Sequence, residues 1–107
     1  MSISHTAYEV LWEREALPTM PAAVSISYPL RTPESGPELA LRAFAELNHA
    51  GLARDGVAHP DLIEALRLLA RPEQAFSGFV TPAEGQETVG LMVAVRGGTA
   101  VLAMLES

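Results

Sequence analysis

The sequence predicts an α+β fold, an antiparallel β-sheet of about four strands with three helices packed mainly on one face, in the order α-β-α-α-β-β-β. Three observations predict it. Apolar residues recur at helical spacing in three segments bounded by Pro or Gly; three strand-like runs close the chain; and a Gly-Gly pair separates the last two runs. A length of 107 residues is enough for one hydrophobic core, so residues 1–107 are expected to form a single domain.

The first helix is expected over Thr6 to Leu17. Ala7, Val10, Leu11 and Trp12 cluster there at helical spacing, with Thr6 as N-cap and Glu9 as its reciprocal partner. Pro18 and Pro21 end it, because a proline restricts the residue before it and cannot donate a backbone hydrogen bond. Ala23 to Tyr28 alternates small or polar with large apolar residues, the period of two that predicts a strand. A connector over residues 29–37 offers two starts for the second helix, Thr32 before Pro33, or Ser35 with Glu38 closing a capping box. Ala40, Ala43, Phe44, Leu47 and Ala50 then form its apolar stripe. Arg42 and Glu46 pair on the other side, and Gly51 is suited to a left-handed stop.

After an expected loop from Ala53 to Ala58, Pro60 and Asp61 suit the first turn of a third helix. Leu62, Leu66 and Leu69 repeat along one side of it, and Pro72 closes it. Gln74 to Val80, Thr88 to Val95 and Ala100 to Met104 are expected strands. The connection Pro82-Ala83-Glu84-Gly85 separates the first two, and Gly97-Gly98 is a two-residue hairpin signal. The last strand, Ala100 to Met104, is expected at an open sheet edge.

The composition excludes several classes of function. The net charge is −6, and all seven basic residues are Arg, so no basic stripe is present to neutralise a phosphate backbone. Nucleic acid is therefore not an expected partner. Absence of Cys removes disulfides, thiolate metal sites and cysteine nucleophiles. The start of the chain lacks the basic and apolar regions of a signal peptide, and runs such as Leu91 to Val95 are far below the ~20 residues of a membrane-spanning helix. A cytoplasmic location and no membrane partner are expected. Abundant Ala and Arg without Lys point to a GC-rich bacterial genome.

No constellation of reactive groups emerges. His59-Pro60-Asp61 resembles the J-domain tripeptide, but no basic helix precedes it and strands follow it, so a helix start explains it better. Glu46 and His49 form one Glu-x-x-His, whereas helical di-metal sites need two. His49 suits a final helical turn, and His5 is expected to be exposed. Ser77-Gly78 lies within a strand instead of a strained nucleophile turn, and Gly97-Gly98 precedes a strand instead of a phosphate-binding helix. No catalytic residue, metal or cofactor is expected, and the chain is read as a non-enzyme. Trp12, the single Trp, is expected in the core.

Thr6-Ala7-Tyr8-Glu9-Val10-Leu11-Trp12-Glu13, the proline-led stretch Met20 to Ser27, the start Thr32-Pro33-Glu34 and the run His59 to Glu73 resemble the N-terminal half of the EspG family. The ending Val93 to Ala103 does so too, and Leu66 to Glu73 is the most distinctive part. EspG proteins are chaperones of actinobacterial type VII (ESX) secretion. The resemblance implies a non-enzymatic cytosolic chaperone that binds PE/PPE-class or related helical-hairpin proteins and covers their apolar tip until export. Family members usually have two pseudo-symmetric halves, and this chain resembles one. Two expectations follow. The loop Pro82, Glu84, Gln86 and Glu87, with Phe79 beside it, is expected to face the protein partner. The edge Ala100, Val101, Leu102, Ala103 and Met104 is expected to pair with a second copy in a C2 homodimer. The alternative reading is a structural homodimerisation module without substrate capture.

Overall fold

A serine hydroxyl starts the first helix. In the computed structural model, which describes residues 1–26 and 36–106, Ser4 Oγ accepts the Ala7 N–H at 3.1 Å and α1 runs from His5–Arg14. Thr6, the expected cap, therefore lies within the first turn. Placing the cap two residues earlier brings His5 into the helix, half-buried where exposure was expected. The helix stops before its prolines because Ala16 takes a left-handed φ of 51°. The N–H of Leu17 then reaches Trp12 O at 3.2 Å and that of Ala16 reaches Glu13 O at 2.9 Å, a Schellman ending built on Ala where Gly is usual.

α2 (Gly36–His49) ends in the same way, with Gly51 at φ 76°, Leu52 N–H on Leu47 O and Gly51 N–H on Asn48 O. Its two candidate caps, Thr32 and Ser35, lie outside the described residues. Between α2 and α3 (Pro60–Ala70) the expected loop is a short hairpin, β1 (Ala53–Arg54) paired with β2 (Val57–Ala58). Asp55 and Gly56 both have positive φ at its tip, the type I′ pattern that follows the right-handed twist of paired strands. His59 caps α3: its carbonyl accepts the N–H groups of Leu62 and Ile63, and its ring Nδ1 accepts that of Asp61 at 3.1 Å. That bond places the neutral imidazole's proton on Nε2.

The expected strand from Ala23 does not form over its described residues. Ala22–Val24 is a single 3₁₀ turn, with Ala23 and Val24 both buried, and only at Ser25 does the backbone become extended. Burial of two successive residues is incompatible with an alternating strand face. The tail of that expected strand, Ser27 and Tyr28, lies outside the described residues.

The C-terminal sheet follows expectation closely. β3 (Gln74–Val80), β4 (Val89–Arg96) and β5 (Thr99–Leu105) form an antiparallel meander in the order β3-β4-β5. Ser77 lies opposite Met92, and Met92 opposite Ala103. Gly97 alone of the Gly-Gly pair has positive φ, the type II′ arrangement. The fold is α+β, with three helices, one two-stranded hairpin and one three-stranded sheet among the described residues.

These elements form two compact units, one of Met1–Leu17 with Ile26–Leu66 and one of Pro18–Ser25 with Arg67–Ser107. In the first, Ala7, Tyr8, Leu11 and Trp12 of α1 are buried together with Ala43 and Leu47 of α2. Ala7 and Ala43 are almost fully enclosed, and small residues at such positions let two helices approach closely. Trp12 is in the core, as expected, and meets Tyr8 edge to face with ring centroids 5.6 Å apart. Arg14 joins three elements: its guanidinium lies 4.6 Å from the centre of the Phe44 ring, and Nη2 donates to Gly56 O at 3.4 Å.

In the second unit the turn Ala22–Val24 lies against β4, with β5 and β3 beside it. The approach is so close that a Cβ on Gly90 would overlap the carbonyl oxygen of Ala23. The segment entering β3 is pinned to the β4–β5 turn. Glu73 N–H donates to Val95 O at 2.9 Å, Gly97 N–H to Glu73 Oε1 at 3.0 Å, and Arg96 Nη1 to Arg71 O at 3.3 Å.

Two outcomes are expected. Replacing Gly90 with Ala forces backbone to move away from backbone, and chemical denaturation should show a loss of about 1–3 kcal/mol. Burial pushes the Tyr8 hydroxyl from 10.0 up to about 12, because the charged phenolate is poorly solvated there. Folding therefore favours the neutral phenol. The stabilisation is complete below pH 10 and is lost as pH rises through about 12, an effect of roughly 2–3 kcal/mol. Denaturation midpoints followed across that window should fall steeply for the parent chain and less steeply for Tyr8→Phe.

Candidate protein-binding surface

Antiparallel pairing decides which residues of the C-terminal sheet share a face, since side chains directly opposite each other point the same way. One face carries Gly90, Met92 and Ala94 of β4, all buried, with Phe79, Ser77 and Ala75 of β3 and Leu105, Ala103 and Val101 of β5 beside them. This is the face reached by Ala23 at Gly90. The other carries Leu91, Val93 and Val95 of β4, flanked by Phe76, Gly78 and Val80 of β3 and by Ala100, Leu102 and Met104 of β5. On it Phe76 is 71% exposed, Leu102 66% and Met104 59%.

The five residues expected to meet a partner lie together at one end of this sheet. Phe79 is 65% exposed near the end of β3, on the same side as Gly90. The connection from Thr81 to Thr88 follows, and Pro82, Glu84, Gln86 and Glu87 are all exposed on it. It has defined local geometry. The Thr81 and Thr88 hydroxyls meet at 2.9 Å across its base, and Gln86 N–H donates to Ala83 O at 3.0 Å, closing a turn in which Gly85 has φ 82°. Such a turn needs positive φ at its third residue, which Gly supplies without steric cost. Two carboxylates and one exposed aromatic ring thus share one end of a hairpin, a combination suited to protein contact.

The expected dimer edge is an outer strand. Among the described residues β5 pairs with β4 alone, so there one side of Ala100, Val101, Leu102, Ala103 and Met104 has no strand beside it. β3 is the other outer strand, and every residue of it is exposed.

The motifs weighed for chemistry are dispersed. Glu46 and His49 are exposed on α2, while His59 and Asp61 are occupied with the start of α3. Ser77 and Gly78 are exposed within β3. Among the described residues no three His, Asp or Glu side chains gather in a way that could hold a metal ion, and no helix is long and apolar enough to cross a membrane.

Sequence reasoning passed over the apolar sheet face. Its signal was Leu91-Met92-Val93-Ala94-Val95, an uninterrupted apolar run where a strand with one wet face alternates. Such a run asks for cover on both sides. A family model described as the EspG family matches residues 4–107, and no curated protein matches the chain.

Proposed function

The chain belongs to the EspG family, a family of chaperones associated with type VII secretion, and we propose that it acts as a single EspG-like half domain that binds secreted proteins of the PE/PPE class. The carrying observation is the extent of the family match, residues 4–107, which spans both compact units. The binding domain works in the cytoplasm of an actinobacterial cell, before export, and requires no cofactor and no reaction. Its contact surface is the exposed end of the β3–β4 hairpin. Phe79 supplies an apolar anchor, and Pro82, Glu84, Gln86 and Glu87 supply a polar rim of the kind that surrounds protein interfaces.

A second reading has one observation in its favour. The outer side of β5 is unpaired among the described residues, so Ala100, Val101, Leu102, Ala103 and Met104 could join a second copy edge to edge in a homodimerisation module that captures no substrate.

Co-expression with a PE/PPE-type protein encoded near the gene separates these readings. The chaperone reading expects a stoichiometric complex. It also expects the double variant Phe79→Asp, Glu84→Arg to weaken the complex at least tenfold, since one buried aromatic anchor is worth about 2 kcal/mol or more. Failure to form a complex with any such protein, or affinity indifferent to the double variant, counts against it.

A further inference from the structure

We propose that the open apolar face of the C-terminal sheet packs against the same face of a second copy of this chain, forming a closed C2 sandwich. Three observations select that occupant. The first is area. Phe76, Val80, Leu102 and Met104 expose on the order of 500 Å² together, and the largest apolar patch of an ordinary monomer is about 300–600 Å². With the partly exposed Leu91, Val93 and Val95 and the exposed Gln74, Gly78 and Ala100 of the same face added, the area approaches the ~800 Å² per partner of a stable dimer.

The second is shape. Two rows cross the centre of the face, Phe76-Val93-Leu102 and Gly78-Leu91-Met104, set by the strand register. A twofold axis perpendicular to the strands and midway between these rows lays each row of one copy over the other row of its mate. Phe76 then stands over Gly78, where space is open, Val93 over Leu91, and Leu102 over Met104. The most prominent side chain on the face thus meets its lowest point, and the contact is self-complementary, as a C2 interface must be.

The third is charge. The chain carries −6, so two copies repel unless their contact avoids like charges. No ionisable residue lies in either row or among Val80, Val89, Val95 and Ala100. The same axis reverses the strands, so Glu84 and Glu87 at the loop end of one copy lie over the turn end of the other and away from their own counterparts. Glu73, also at the turn end, already accepts the Gly97 N–H. Edge-to-edge pairing through β5 satisfies backbone groups but leaves Phe76 in water, so it does not account for the face. The inference stands independently of which secreted protein the chain binds.

The test is the mass of the intact chain by sedimentation equilibrium and light scattering over a wide concentration range. The chain of 11.4 kDa is expected to reach twice that mass and stop. Leu102→Glu places a charge in the contact, and Gly78→Val fills the hollow that receives Phe76. Each should weaken the dimer at least tenfold while circular dichroism stays unchanged. Gly78→Val is the safer variant, because nothing in the monomer lies within 4 Å of a Cβ there. Leu41→Glu, on exposed α2 surface, should leave the dimer intact. A mass of one chain throughout, or open-ended growth, would overturn the proposal. So would a dimer that tolerates both face variants, which is the behaviour of edge-paired β5 strands.

Discussion

A central strand that is apolar on both sides governs the C-terminal unit. β4 holds β3 and β5 in register, and its residues from Leu91 to Val95 place apolar groups on both faces. The turn Ala22–Val24 meets one face, and the fit is tight enough that position 90 admits only Gly. The other face presents Phe76, Leu102 and Met104 to solvent. An unbranched demand for burial on two sides, met by this chain on one, is the physical reason for looking outside the chain for a partner.

The proposed binding role draws on the same sheet: a chaperone needs surface whose exposure is tolerated while it waits for its guest, and a three-stranded meander pinned at its turn is suited to that. Glu73, Arg71 and Arg96 fasten the turn end of β4–β5, while at the opposite end the connection from Thr81 to Thr88 is closed by its own Thr81–Thr88 contact. The acidic character of that end separates it from the neutral sheet face. Two surfaces of different chemistry thus lie on one small sheet, one suited to a mixed polar contact and one to dry packing.

How much of this was legible in the sequence depended on whether the signal was local. β3 was readable to its ends because Gln74 follows a helix-ending proline and Val80 precedes another turn-forming stretch. The ends of α2 and α3 were readable from Gly51, Pro60 and Pro72. Asp55-Gly56 was an equally local I′ signal, and the hairpin it forms is hidden only by the shortness of β1 and β2, two residues each. Ser4 lost to Thr6 as the expected cap because both have a hydroxyl ahead of the same apolar stripe, and only the backbone decides which one reaches an orphan N–H. The turn at Ala22–Val24 was not legible. Its alternation suits a strand, and what overrides it is tertiary, the close seat beside Gly90. The connection from Thr81 to Thr88 was readable as the link between β3 and β4, while Phe79 and Phe76 could be assigned to opposite faces only once register was known.

Four methionines allow the central claim to be measured in one experiment. Met92 and Met104 lie on neighbouring strands but on opposite faces, one 4% and the other 59% exposed. Peroxide oxidation of the dilute, unpartnered chain, followed residue by residue by mass spectrometry, should convert Met104 at a rate near that of exposed Met1 while Met92 reacts many times more slowly. Equal rates for Met92 and Met104 would contradict the picture of a sheet with one covered and one open apolar face.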